Sequence, residues 1–303
     1  MNLENILITG ASGLVGLPLV KKLLNENNLI IGIDPVFNQV NSQNYRHFGG
    51  SFSNIEDIFS LLKEYRISKV IHAGGVSGPM LLNQNPDLII ENNVNFTMRL
   101  IEASRLYKKI NRFIFCSSIS AYGSLDKNNI TESYRFAPEN LYGATKAACD
   151  LLLKRYFLEY GLDIISLRFS TIYGQKRSTS CFINDIITST LKNKELTLPF
   201  KSDLCWPYIY VEDVVSCIEA CLFFNKEHFF DYNVSGPDFP SYKKIIEEIN
   251  LYFDCLQVNF SGYNSFKERK LFSINKIKND INWEPEYSIQ KGIKDYISKL
   301  NSD

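Results

Sequence analysis

The hydrophobic pattern of the chain alternates between two periods. NILIT at 5–9 and LIIGID at 29–34 are short, nearly unbroken apolar runs rich in β-branched residues, the pattern of strands buried on both faces. Between them, LVGLPLVKKLLNEN (14–27) carries apolar residues at three- and four-residue intervals, which predicts a helix. Pro18 falls near the first turn of that helix, where a missing N–H is tolerated. The alternation continues with a helix at 55–65, a strand at 69–74 and one long helix at 85–108, opening near Pro86. A strand at 112–118, a helix at 141–160 and a strand at 163–170 follow. Strand–helix alternation with short links predicts an α/β chain: a doubly wound parallel sheet covered by helices on both faces.

Beyond residue 175 the pattern loosens into a helix at 181–193, a short PYIYVEDVV segment and a C-terminal helix at 288–300. The expected division is a first domain over 1–175 and a smaller C-terminal substrate lobe over 176–303, with a return to the first domain around 208–235. The chain shows no internal repeat, low-complexity tract or flexible linker.

Composition narrows the function classes. With 303 residues, 45% of them hydrophobic, the chain can bury a full core. Lys plus Arg equals Asp plus Glu, 33 each, so nothing favours nucleic acid or an acidic membrane surface as partner. Seven scattered cysteines, an odd number with no C-x-x-C, read as reduced thiols, and no metal site is expected. The N-terminus runs directly into a strand without a charged leader, and no apolar run approaches the roughly 18 to 20 residues of a membrane span. A cytoplasmic protein is expected.

Chemistry enters at TGASGLVG (9–16), between the first strand and the first helix. Gly10, Gly13 and Gly16 let the backbone turn tightly and approach a pyrophosphate seated on the helix N-terminus. Asp34 closes the second strand, 18 residues after Gly16. A carboxylate there accepts hydrogen bonds from ribose hydroxyls and repels a 2′-phosphate, which favours NAD over NADP. Tyr142 and Lys146 stand four apart on a helix, and an ammonium beside a phenol favours phenolate. The spacing alone is cheap. Its context, a helix following the strand that ends in CSSISAYG (116–123), adds weight, because ligands of such sheets bind at the carboxyl ends of strands.

Together these stretches resemble the extended short-chain dehydrogenase/reductases, the group with the nucleotide-sugar epimerases and dehydratases. The similarity runs through VIHAGG (70–75), NNV (92–94), YGATK (142–146), LRFSTIYG (167–174), YIYVEDVV (208–215) and NWEP (282–285). The resemblance implies a Rossmann-like fold and an NAD cofactor. It makes Tyr142 the general acid/base; Lys146 favours its phenolate and holds the nicotinamide ribose, and Ser118 bonds the reacting oxygen. The implied cofactor contacts are Gly10, Ser12, Gly13, Leu14, Val15 and Gly16 in the first turn, and Asp34 after the second strand. Ser51 and Phe52, Ala73, Gly74 and Gly75, Asn93 and Phe169 complete them. Substrate contacts are implied for Ser77, Ser118, Ile119, Ser120, Tyr142, Ser170, Thr171, Arg177, Trp206 and Arg269. A homodimer is implied, commonly through a four-helix bundle, here using helices near 87–107 and 141–160.

Within the group, the residues after Ser118 separate the chemistries. Sugar 4,6-dehydratases resemble one another in having Asp-Glu next; Ile119 and Ser120 cannot supply that acid/base pair. Xylose-forming decarboxylases carry glutamate and fucose-synthase-like enzymes cysteine where Ser120 stands. The leading expectation is therefore an NAD-dependent nucleotide-sugar 4-epimerase working through a keto sugar. An NAD-dependent sugar or uronate dehydrogenase or ketoreductase is the second, ahead of a dehydratase and a non-catalytic dinucleotide-binding protein. Three departures bear on the substrate: Trp206 replaces the arginine that usually pairs with the nucleotide diphosphate, Thr171 replaces an asparagine, and Ser51 an adenine-contacting aspartate. Arg177, Lys176, Lys267 and Arg269 are candidate replacements for the lost phosphate contact.

Overall fold

The computed structural model describes residues 4–24, 28–50, 52–78, 84–125, 129–177, 179–199, 201–226, 228, 230–253, 258–262 and 270–300. Ser51, Cys255, Lys267 and Arg269 lie outside the described residues. The strands are β1 (Glu4–Thr9), β2 (Asn28–Ile33), β3 (Tyr45–Phe48), β4 (Lys69–His72), β5 (Arg112–Ser118), β6 (Ile164–Phe169), β7 (Thr171–Tyr173), β8 (Leu196–Leu198), β9 (Tyr208–Tyr210), β10 (Asp231–Val234) and β11 (Val258–Phe260). The helices are α1 (Gly16–Leu23), α2 (Ile55–Glu64), α3 (Pro86–Ile90), α4 (Phe96–Tyr107), α5 (Leu141–Tyr160), α6 (Phe182–Leu191), α7 (Val211–Phe223), α8 (Tyr242–Asn250), α9 (Asn275–Ile281) and α10 (Ile289–Leu300). A π-helical turn, Glu91–Asn95, joins α3 to α4, and a 3-10 turn, Ile119–Tyr122, follows β5.

Seven strands form one sheet in the order β3-β2-β1-β4-β5-β6-β10, with every neighbouring pair parallel. The strand order reverses between β1 and β4, and such a switch point opens a crevice at the carboxyl ends of the strands. One face is covered by α1 and α7, whose Leu19, Val20, Val214 and Ile218 pack on Ile6 and Ile8. The other is covered by α2, α4 and α5, through Leu62, Leu100 and Leu153 against Leu7 and Phe113. Burying each such aliphatic side chain stabilises the fold by about 1.5–3 kcal/mol. A third core, built on α6, α8 and α10 with Tyr173, Tyr208 and Tyr210, makes the C-terminal lobe. Trp283 of the last segment returns to the first core with Ile277 and Ile281 of α9.

Two elements differ from the pattern read in the sequence. The segment 85–108 is not one uninterrupted helix but two, joined by the π-turn. Strand β10 had no expectation because DYNV is not an apolar run; Asp231 and Asn233 are buried there because partners satisfy them. Arg168 of β6 donates to Asp231 at 2.7 Å and to Asp150 of α5 at 3.2 Å, and Lys276 donates to Asp231 at 2.7 Å. Asp150 also accepts the Ser117 hydroxyl at 2.7 Å, so this interior ion cluster ties α5 to the strand ending in Ser118.

Candidate active site

The first glycine turn is built by contact distances that exclude side chains. A Cβ on Gly10, which has φ +69°, would lie 2.7 Å from the Ala73 carbonyl oxygen, and one on Gly16 would lie 2.0 Å from that of Gly10. Gly13 faces outward. The first turn of α1 carries no acidic residue, so its N-terminus presents backbone N–H groups and a positive dipole end. Asp34 follows β2, its Oδ2 accepting the Ser12 N–H at 3.1 Å and its Oδ1 the Val36 N–H at 2.9 Å. Each carboxylate oxygen keeps a second lone pair for a hydroxyl. Ser12 is held at all three polar groups by this loop: its hydroxyl donates to the Val36 carbonyl at 2.5 Å and its carbonyl accepts from Asn38 at 3.1 Å. The glycine turn and the acid are thereby locked together.

The reactive end forms where α5 begins. Asn140 caps the helix, its side chain accepting the Gly143 N–H at 2.8 Å. Gly143 lies against the turn after β5: a Cβ there would be 2.4 Å from the Ser120 carbonyl oxygen. Only glycine lets the start of α5 come this close to the turn after β5. The Ser118 hydroxyl accepts the Ser120 N–H at 3.1 Å, which leaves its own hydrogen to donate. Lys146 is buried, donates to the Cys116 carbonyl at 2.9 Å and stands 6.0 Å from the Tyr142 ring centroid. It also faces the Phe115 ring at 4.9 Å. The arrangement can hold a ligand hydroxyl between a serine and a tyrosine and stabilise negative charge there with the ammonium.

A family profile, the NAD dependent epimerase/dehydratase family, matches residues 6–235. The chain belongs to this family. It is 24% identical to a UDP-glucuronate 4-epimerase of Thermodesulfobacterium geofontis over 95% of this chain and 93% of that one. To a dTDP-glucose 4,6-dehydratase of Salmonella typhimurium it is 25% identical over 95% and 90%. Among solved structures, a UDP-glucose 4-epimerase from Thermotoga maritima with UDP-glucose superposes with a TM-score of 0.88 at 21% identity, covering 98% and 99% of the two chains. A UDP-glucuronic acid 4-epimerase from Bacillus cereus with its substrate and NAD gives 0.86 at 24% identity, covering 98% and 99%. These likenesses confirm the fold. As a member of the NAD dependent epimerase/dehydratase family the protein is an NAD-dependent enzyme, and the glycine turn, the α1 N-terminus and Asp34 fit a dinucleotide's pyrophosphate and ribose.

Other residues singled out in the sequence of this epimerase/dehydratase homologue stand as follows. Ala73 and Gly74 border Gly10 at the switch point, and Gly75 lies against the Asn93 amide. Ser77 is exposed beside them. Asn93 is buried, and its amide is spent on the protein: Oδ1 accepts the Val76 N–H at 2.7 Å, while Nδ2 donates to the Val76 carbonyl at 3.2 Å and to Thr145 at 3.0 Å. The side chain of Phe169 packs in the core under α1 and α7, and Phe52 packs on the opposite core. Leu14 and Val15 are half-buried against the cores. Ile119, expected against substrate, is buried with Tyr122, Ile130 and Phe272 instead, because apolar area is withdrawn from water there. Ser170 is buried beside β10, donating its N–H to the Val234 carbonyl at 2.9 Å.

The two departures at 171 and 206 meet: the Trp206 indole N–H donates to the Thr171 hydroxyl at 2.7 Å. Arg177 donates to the carbonyls of Thr179, at 3.1 Å, and Ile172. Thr9, His72, Thr97 and Thr145 were missed in the sequence. A lone histidine inside an otherwise apolar strand was the one available signal, and strand periodicity reads past it.

Proposed function

We propose that the protein is a nucleotide-sugar 4-epimerase in which Tyr142 is the acid/base for one secondary alcohol. The observation that carries this reading is the turn after Ser118. Ile119 is turned into a small apolar core and Ser120 carries no acid, so this turn gives Tyr142 no carboxylate helper for removing water. NAD, when bound, supplies the hydride acceptor and, once reduced, the donor. Ser118 holds the sugar oxygen by donating its hydroxyl hydrogen. Tyr142 takes the proton from that oxygen and returns it after the 4-keto sugar has turned its other face, while Lys146 stabilises the charge on the phenol oxygen. The 4-epimerases of UDP-sugars among the relatives support this substrate class.

A second reading is supported by Trp206, an uncharged indole bonded to Thr171 where the usual arginine would stand, and by the commitment of Arg177 to loop carbonyls, so neither position offers a ready cation for a diphosphate. It is an NAD-dependent dehydrogenase or ketoreductase of a free sugar or uronate. Incubation with UDP-, GDP- and dTDP-sugars and with free uronates decides between them. The epimerase converts a nucleotide sugar with no net growth of the reduced-nicotinamide absorbance band; stoichiometric growth of that band with a free sugar overturns the reading.

The same proposal includes a cytoplasmic homodimer, supported by an exposed apolar stripe at Leu151 (58% exposed), Leu158 (56%) and Tyr160 (56%) of α5, with Leu88 and Ile90 beside it. The six described cysteines are free thiols, as a reducing compartment requires. Light scattering of the wild type and of Leu151→Glu/Leu158→Glu reads the dimer; equal masses overturn it.

A further inference from the structure

His72 lies at the end of β4, one residue before the loop that borders Gly10, and is only 1% exposed. Three phenyl rings surround it, with centroids 5.6 Å (Phe96), 6.5 Å (Phe113) and 5.7 Å (Phe115) away. Burial, reinforced by the charge of Lys146, pushes its pKa down to about 3, so the ring is neutral at physiological pH. Its neighbours then fix the tautomer. The Thr97 hydroxyl donates to the Asn93 carbonyl at 2.6 Å, so Thr97 can only accept from the ring, 2.7 Å from Nε2. Nε2 therefore carries the hydrogen, and Nδ1 accepts the Thr9 hydroxyl at 2.6 Å. Thr9 in turn accepts the Gly74 N–H at 3.1 Å.

The chain of bonds thus runs in one direction from Gly74 through Thr9, His72 and Thr97 to the π-turn, with every donor in it used. At the π-turn it meets a second chain. The Asn93 side chain grips both backbone groups of Val76 and donates to Thr145, whose hydroxyl donates to the Tyr142 carbonyl at 2.8 Å. The 73–76 loop is consequently held at both ends, and its two anchors converge on the helix that carries Tyr142.

We propose that His72 is a positioning residue for the cofactor: by holding Thr9 and Thr97 in one donor–acceptor order it sets the 73–76 loop against the glycine turn and keys that loop to the Tyr142 helix. The inference rests on the assignment of this loop to the NAD site, and the experiment separates the two. NAD binding to the nucleotide-free protein is titrated calorimetrically for the wild type, Thr97→Val, His72→Leu, His72→Gln and Asp34→Ala. Thr97→Val keeps shape and removes one hydroxyl; it and His72→Leu are expected to weaken NAD binding by about tenfold, the scale of one buried hydrogen bond left unpaired. His72→Gln, which retains a donor for Thr97, recovers part of the loss. In Thr97→Val, hydrogen exchange at the Gly74 amide accelerates while the β1 core amides are unchanged, which a general loss of stability would not produce. NAD binding within twofold of wild type in Thr97→Val overturns the proposal, even where His72→Leu fails to fold. If Asp34→Ala also binds NAD unchanged, the assignment of the cofactor site falls with it.

Discussion

Tyr142, Lys146 and Ser118 are separated by up to 28 positions in the chain, yet their arrangement is local to one strand end and one helix start. What distinguishes Lys146 from a surface lysine is its burial: it is bonded to a main-chain carbonyl and faces two aromatic rings. Replacing Tyr142 by Phe removes the proton acceptor without removing the ring. Turnover of the nucleotide sugar should fall about 10²-fold or more, with NAD still bound; unchanged turnover in a steady-state assay would exclude Tyr142 as the acid/base. Asp34 is the corresponding residue we propose for the cofactor. Asp34→Ala removes the charge that opposes a 2′-phosphate, so the ratio of NADP to NAD dissociation constants should move toward unity. A wild type that already prefers NADP would refute that assignment.

At the scale of elements, the decisive contact is between backbone atoms. Helix α5 can approach the Ser118 turn because Gly143 has no Cβ to meet the Ser120 carbonyl. Gly143→Ala must push the two apart. A displacement of even part of an ångström at the reacting centre should lower kcat by about tenfold or more, while NAD affinity stays near wild type. Equal kcat in that variant would mean that the approach of α5 is not limiting. The π-turn is the other element that matters, since such turns often mark functional sites. Its helical segment was legible from periodicity as a single helix. The extra residue in the turn was not, because Glu91–Asn95 holds a single apolar residue, Val94, too few to register a change of face.

The whole molecule should be acid-sensitive in two stages. His72 has a folded pKa of about 3 against about 6.5 for an unfolded histidine, so the unfolded state binds the extra proton between these values. Its contribution is fully present above about pH 6.5 and is lost as pH falls toward 3, on the order of 4–5 kcal/mol in all. Asp231 adds a second loss. Burial alone would raise its carboxyl, but the Arg168 charge and the Lys276 hydrogen bond outweigh this and hold it below the usual range. Its stabilisation therefore persists above about pH 4 and disappears below it. Melting temperature against pH should fall from pH 7 to pH 4 in the wild type and more gently in His72→Gln. Parallel curves would remove His72 from that account.

The periodicity of the chain alone determined the alternating strands and helices and the parallel sheet, and its glycine spacing made the first turn the expected dinucleotide cradle. Those features rest on local spacing, which a linear pattern carries. The argument proposed against an elimination chemistry is equally local, since it uses only the identities of Ile119 and Ser120. Tertiary structure alone decided what buried polar groups do. That Asn93 grips a loop, that Ile119 turns into a core, and that Thr171 and Trp206 bond each other are pairings between distant segments. His72 is the clearest case. In sequence it interrupts an apolar strand; in the fold, two threonines 63 and 25 positions away give its ring a direction. A hydrogen bond is decided by what lies within about 3 Å in space, and sequence spacing does not record that.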